Sequence, residues 1–288
     1  GAGQSIVFSI EMDDDVNVNT TLGSPTLTLD VGTANFISAA GNLLTFEYIS
    51  EDGDNSTGLE ITGLNFNGAV IEDAAGNTAD FSSLAHTFNN IVIDTDPATA
   101  PTITSQTSSD VQPTIAGTSG TGAALNTGEV LTVVVNTATY EVTPDGSGDW
   151  SIDLAAAVPT AGVLGLLTDG TYPIAATITD EAGNAVTTSV ANALVIDTTA
   201  PAAPTVDALV ADSTTPTITG TATLGDGESL TVTVSDATYE VTLATDDTWS
   251  VDLDTDAPKA PSTLTPLVNG NTYSVTATVT DAAGNIVN

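Results

Sequence analysis

Four short segments of the chain recur at offsets of 99 to 103 residues. Pro113-Thr-Ile-Ala-Gly-Thr118 returns as Pro216-Thr-Ile-Thr-Gly-Thr221, and Thr139-Tyr-Glu-Val-Thr143 as Thr238-Tyr-Glu-Val-Thr242. Asp149-Trp-Ser-Ile-Asp-Leu154 returns as Thr248-Trp-Ser-Val-Asp-Leu253, and Asp180-Glu-Ala-Gly-Asn184 as Asp281-Ala-Ala-Gly-Asn285. Solenoid units are shorter, roughly 20–50 residues, because each needs its neighbour to bury a core. A period this long fits a complete small domain used in series. The 288 residues then divide into 1–96, 97–199 and 200–288.

Within each unit the apolar residues alternate. Leu131, Val133 and Val135 share one face with Thr132 and Val134 on the other, and Leu230, Val232 and Val234 repeat the pattern. Ile174, Ala176 and Ile178, and later Val275, Ala277 and Val279, alternate with Thr. Period two with Thr outward marks half-buried antiparallel strands, and clusters of Gly, Asp, Asn and Pro punctuate them. The middle unit reads as seven strands near 101–105, 113–118, 130–136, 138–143, 149–154, 171–180 and 188–197. That count in about 100 residues predicts an immunoglobulin-like sandwich. The expected fold class is therefore all-β: an elongated tandem array of three immunoglobulin-like β-sandwich domains. Trp150 and Trp249 are expected to be core anchors, with carbohydrate stacking as the alternative.

The outer units are irregular. The first is a divergent relative: it shares Asp73-Ala-Ala-Gly-Asn77 and Ile91-Val-Ile-Asp-Thr95 but opens directly on Ile6, Phe8 and Ile10, with no strand ahead. The third stops at Asn288 before any counterpart of Thr188–Asp197. An excerpt from a longer array is expected; a strand donated by a neighbouring chain is the alternative. The linkers Ile93-Asp-Thr-Asp-Pro-Ala-Thr-Ala-Pro101 and Ile196-Asp-Thr-Thr-Ala-Pro-Ala-Ala-Pro204 are short, and their prolines favour a stiff, extended chain.

The charge is extreme. There are 27 Asp and ten Glu against a single basic residue, Lys259, and one histidine, His86, giving a net charge of −36. Nucleic acid is excluded as a partner, since binding it requires Lys and Arg, and anionic lipid is disfavoured. Asp is a turn residue, so the acid should lie in loops. There is no cysteine, so stability must come from the cores or from metal. His86 has no Ser or Cys motif beside it and reads as a loop or edge-strand residue. Lys259, between two prolines, reads as a solvated loop residue rather than a Schiff-base lysine. No enzyme is expected.

Antiparallel order says where the acids go. The loops around 119–129, 144–148 and 180–184 should meet the end at which the preceding linker arrives. At the first junction this gathers Asp94 and Asp96 with Asp180, Glu181 and Asn184. At the second, Asp197 meets Asp281 and Asn285, and Asp110 and Asp169 face them from the middle domain. Asp73 and Asn77 repeat the turn in the first domain. Asp13-Asp-Asp15 and Glu51-Asp-Gly-Asp-Asn55 are weaker candidates. Carboxylates gathered without Lys or Arg call for a cation, and oxygen-only donors in irregular loops suit several Ca2+ ions better than Zn2+ or Mg2+. One Asp-x-x-Gly-Asn is also an ordinary hairpin turn. A solvated acidic surface, as in proteins adapted to high salt, is the bland alternative.

The linker Ile196-Asp-Thr-Thr-Ala-Pro201, the strand segments 216–221 and 249–253, and the turn 280–285 together resemble bacterial immunoglobulin-like repeats. Such repeats build the extender regions of giant calcium-dependent, type I-secreted RTX-type adhesins. The resemblance implies calcium at domain junctions, held around Asp94, Asp96, Asp180, Asn184, Asp197, Asp281 and Asn285. It implies a secreted, bacterial cell-surface location and a spacer role in cell adhesion or biofilm formation. Neighbouring repeats of the same chain are the expected partners. A cell-surface or glycan ligand would be met through other domains, with no direct membrane insertion and a monomeric state. Two other roles are a sugar- or protein-binding adhesion module and a strand-exchanging filament subunit. Asp96-Pro97 stands where the second linker has Thr199-Ala200-Pro201, so the first linker departs from the family pattern.

Overall fold

The computed structural model describes all residues, 1–288. It contains 25 strands and no helix. Buried apolar side chains form three separate clusters, between Phe8 and Ile93, Ile115 and Ile196, and Ile218 and Val279. Each lies inside one of the three stretches 1–96, 97–199 and 200–288.

The first domain contains β1 (Ser5–Glu11), β2 (Val16–Asn19), β3 (Thr26–Leu29), β4 (Thr33–Ala40), β5 (Leu43–Ile49), β6 (Asn55–Ser56), β7 (Leu59–Asn65), β8 (Val70–Asp73), β9 (His86–Phe88) and β10 (Ile93–Asp94). Its main sheet runs β1-β5-β4-β3-β7-β9, with β2-β8 and β10-β6 as separate pairs. This order differs from that of the other two domains, so the divergence extends beyond the loops. His86 sits on the edge strand β9, exposed, its ring against Phe88.

The middle domain comprises β11 (Thr102–Ile103), β12 (Gln106–Ser108), β13 (Thr114–Thr118), β14 (Val130–Val135), β15 (Ala138–Val142), β16 (Asp149–Asp153), β17 (Gly170–Thr179) and β18 (Ala185–Ile196). One sheet is β11-β13-β16 and the other β12-β18-β17-β14-β15. The single first strand expected from the sequence is split. β11 pairs antiparallel with β13, then the chain crosses over and β12 pairs parallel with β18. Leu131, Val133, Val135, Ala176 and Ile178 point inward and are buried, while Thr177 and Thr187 meet on the outer face through their hydroxyls at 2.8 Å. The register of β17 on β18 shifts between Tyr172 and Ile174. Pro173 lies there and has no N–H for the ladder.

The third domain repeats this plan with β19 (Thr205–Val206), β20 (Thr217–Thr221), β21 (Ser229–Val234), β22 (Ala237–Val241), β23 (Thr248–Asp252), β24 (Val275–Thr280) and β25 (Ile286–Val287). The sheets are β19-β20-β23 and β22-β21-β24-β25. β25 contributes two residues against β24. Both tryptophans are core residues, Trp150 3% and Trp249 2% exposed, which leaves neither ring open for sugar stacking. Lys259 forms an exposed ion pair with Glu240.

Candidate functional site: the two domain junctions

Three turns share one construction. In Asp73–Asn77, Asp180–Asn184 and Asp281–Asn285, the first carboxylate accepts the N–H of the final Asn through Oδ1 at 2.8 to 2.9 Å. The Asn side chain returns its Nδ2–H to Oδ2 of the same Asp at 2.6 to 2.9 Å. The glycines at 76, 183 and 284 hold φ of 85°, 86° and 87°, a left-handed conformation that glycine adopts without a Cβ penalty. These bonds hold the carboxyls of Asp73, Asp180 and Asp281 below the usual carboxylate range. Burial pulls upward at Asp180 and Asp281, and the combined hydrogen bonds from Asn184 and Asn285 outweigh it.

At the first junction, Asn184 Nδ2 also donates to the backbone carbonyl of Asp94, at 3.1 Å. At the second, Asn285 Nδ2 donates to the carbonyl of Asp197, at 2.7 Å. The turn accepts a bond in return. Ser109 N–H of the middle domain donates to Ala283 O at 3.0 Å, and the amino group of Gly1 donates to Ala182 O at 3.2 Å. Each junction is thus clasped by two bonds running in opposite senses, made by the same two positions of the turn.

Each linker is also tied to the domain it leaves. Asp94 Oδ1 accepts the N–H of Asp96, and Asp197 Oδ1 that of Thr199, two matching turns. Thr95 is buried; its Oγ1 donates to Asp54 O and accepts from Gly53 N–H. Asn55 grips both Thr95 N–H and the Asp96 carboxylate. In the second linker, Asp169 accepts from Thr198 N–H and from the hydroxyls of Thr198 and Thr199. The Thr198 and Thr199 bonds hold its carboxyl below the usual carboxylate range. Asp110 caps its own loop through Gln112 N–H, one residue from Ser109.

The expected gathering of acids is therefore only partly seen. Asp94 meets Asp180 and Asn184, and Asp197 meets Asp281 and Asn285, through the asparagine bridge. Glu181 instead lies over Gly128. The acids of the neighbouring loops turn inward on their own backbone: Glu129 caps Asn126, Asp145 caps Ser147 and Asp149, and Glu228 caps Gly225. No three His, Cys, Asp or Glu side chains stand close enough to form a ready cage. The donors at each junction are carboxylate, amide and backbone carbonyl oxygens, of the hard type Ca2+ takes. A cation there would draw on the Asn and the linker carbonyl as well as on carboxylates. Asp73 and Asn77 lie at the opposite end of the first domain, where Asp13, Asp14 and Asp15 line the same depression.

Sequence reasoning missed Thr95 and Thr198, and read Asn55 as part of a cation candidate rather than as a tie to the linker. The loop 51–55 carried a signal as an acidic turn, but only the pairing of β10 with β6 places it against the linker.

No protein-family model matches the chain, and no curated protein does. Among solved structures it is similar to a tetra-tandem repeat in the extending region of a large adhesion protein. There the identity is 21%, coverage is 98% of this chain and 68% of that one, and the TM-score is 0.28. It is also similar to a structure described for host cell surface retention of a 1.5-MDa bacterial ice-binding adhesin, at 20% identity, 99% and 88% coverage and a TM-score of 0.35. A membrane-anchored protein of Corynebacterium diphtheriae overlaps at 12% identity, 99% and 86% coverage and a TM-score of 0.25. Each superposition is shallow.

Proposed function

We propose that this chain is an extender segment of a bacterial surface adhesin, a spacer whose domain junctions are stiffened by bound Ca2+. The observation that carries the reading is the duplicated junction. Asn184 and Asn285 grip the linker carbonyls of Asp94 and Asp197 in the same way, so the second and third domains each meet their predecessor through the same pair of turn positions. A repeated, defined contact sets the angle between domains, as a spacer requires and a flexible tether does not. Asp94, Asp96, Asp180 and Asn184 would hold the ion at one junction, and Asp197, Asp281 and Asn285 at the other, with Asp110 near the second. Calcium would supply positive charge to carboxylates that have a single lysine in the whole chain to balance them. The Asn, with the linker carbonyls, keeps these groups in register.

The test is small-angle scattering of the chain with calcium and then with a chelator. A fall in maximum dimension, or a change to a flexible-chain profile, is expected on chelation. Identical profiles would remove calcium stiffening from the reading.

A further inference from the structure

β15 and β22 are the end strands of their sheets, and a loop clasps each at the same residue. In the middle domain Thr139 N–H donates to Ala161 O, and Thr139 O accepts from Thr160 N–H, both at 2.8 Å. In the third domain Thr238 O accepts from Lys259 N–H at 2.7 Å, and Thr238 N–H donates to Ser262 Oγ at 3.1 Å. The loops align as Val158-Pro-Thr-Ala-Gly-Val163 and Ala257-Pro-Lys-Ala-Pro-Ser262. The clasp is therefore a feature of the fold, and the third domain puts Lys259 in it where the middle domain has Thr160.

Lys259 is the single Lys or Arg in 288 residues. Lys259–Ala260 is thus the one bond in the sequence that suits a protease of the trypsin class, which receives a basic side chain in an acidic pocket. The Lys259 side chain is 53% exposed and within reach. Its backbone is not. The N–H is spent on Thr238, and the carbonyl accepts Ser262 N–H at 3.0 Å and Ser262 Oγ at 2.6 Å, which closes a turn over the bond. Glu240 pairs with the ammonium. Upstream, Asp252 O accepts the N–H groups of Thr255 and Asp256. Downstream, the Asp236 carboxylate accepts the N–H and hydroxyl of Thr265, and Leu264 and Leu267 pack on the core. An enzyme that binds its substrate as an extended strand needs free main-chain groups, and this turn offers none.

We propose that Lys259–Ala260 is a latent processing site for proteases that cut after basic residues, held closed in the folded protein by the clasp on β22. Cleavage adds one water across the bond, leaving a carboxylate on Lys259 and an amino group on Ala260. The cut would detach 260–288 covalently. That piece carries β24, β25 and Asn285, which grips the Asp197 carbonyl. The clasp thus protects the second junction, and the protein as a whole withstands this class of protease. The inference rests neither on calcium nor on the spacer reading.

The experiment digests the folded chain carrying Val210→Lys with trypsin and follows both cuts by intact mass. Val210 is fully exposed, so its loop supplies an unclasped reference in the same molecule. Cleavage after 210 should outpace cleavage after 259 by about tenfold or more, since a clasped bond is cut only from its locally opened form. Ser262→Ala in the otherwise unaltered chain removes the Oγ bonds to Thr238 and Lys259 and should speed the 259 cut roughly 2–10-fold, the equivalent of about one hydrogen bond. A protease that cuts after apolar residues should digest the Ser262→Ala and unaltered chains at the same rate, which separates loop opening from unfolding of the domain. Equal cutting after 210 and 259 overturns the proposal. So does a Ser262→Ala chain cut no faster after 259, or one that the two proteases accelerate on alike.

Discussion

At the scale of single residues, the tightest constraint is a cross-strand pair that occurs twice. Gly117 faces Trp150 and Gly220 faces Trp249 in the β13–β16 and β20–β23 ladders. A Cβ on Gly117 would lie 2.0 Å from Thr102 O and 2.5 Å from the indole; on Gly220, 2.1 Å from Thr205 O and 2.5 Å from the indole. The obstacle is backbone, so it does not yield cheaply. Gly117→Ala and Gly220→Ala should each destabilise their domain by about 1–3 kcal/mol, the usual cost of overpacking, read as a lowered denaturation midpoint. The two tryptophans differ in one atom's fortune. Trp150 Nε1 donates to Thr118 O at 3.2 Å, whereas Trp249 Nε1 is buried without a partner. Trp→Phe should therefore cost more at 150 than at 249, by about 0.5–1.5 kcal/mol for the lost hydrogen bond. Equal losses in paired unfolding experiments would contradict the assignment. The sequence showed Trp150 and Trp249 as core anchors through their place in an alternating strand. It did not show why glycine stands opposite, because that depends on pairing between strands about thirty residues apart.

Among elements, the turns decide how domains meet. Removing the Asn184 side chain takes away the grip on Asp94 O and one bond to Asp180 while leaving the core of the middle domain intact. Asn184→Ala should leave that domain's unfolding nearly unchanged and widen the distance distribution across the first junction. Acid should do the same. The carboxyls of Asp180 and Asp281 sit below the ordinary value in the folded chain. Their contribution is thus fully present above the unfolded pKa of about 3.9 and is lost as pH falls through the lower folded value. Junctions should be ordered at pH 5–7 and loosen below about pH 4. Spin-label distances that stay narrow down to pH 2 would show that these carboxylates do not hold the clasp. The strands of the middle domain were legible to within one to three residues at nearly every boundary, since the longer ones alternate buried apolar residues with more exposed neighbours. The crossover between β11 and β12 was not, because nothing in Thr102–Ser108 states that its two halves serve different sheets. The first domain's sheet order was likewise hidden: with few repeated segments to align, the alternation reveals strands but not their neighbours. The loops around 119–129 and 144–148 were expected to meet the arriving linker, but their acids Glu129 and Asp145 cap their own turns, because Asp and Glu bond nearby backbone N–H groups first.

For the whole molecule, the governing quantity is a charge of −36 spread over three small cores. Such self-repulsion opposes the compact state, and salt relieves it by shortening the Debye length from about 8 Å at 0.15 M to about 3 Å at 1 M. Simple screening depends on ionic strength alone. Occupied junction sites depend on which cation is present, and this separates the spacer with bound ions from a merely halophilic surface. Thermal unfolding should be compared in NaCl, MgCl2 and CaCl2 at matched ionic strength. With screening alone, the sodium series raises the midpoint smoothly and the two divalent salts act alike. With junction sites, calcium adds a further increment that saturates. The increment amounts to about 1.4 kcal/mol per site at tenfold excess over Kd, with Kd in the roughly 10⁻⁴–10⁻³ M range of extracellular calcium modules. Magnesium, which demands a stricter octahedron, should give less. Asp281→Asn, which removes one carboxylate while keeping an oxygen to accept the backbone N–H of Asn285, should lessen the calcium increment and leave the sodium response in place. Coincident calcium and magnesium curves in the unaltered chain, or an Asp281→Asn chain with the full calcium increment, would leave the acidic surface acting only through its net charge.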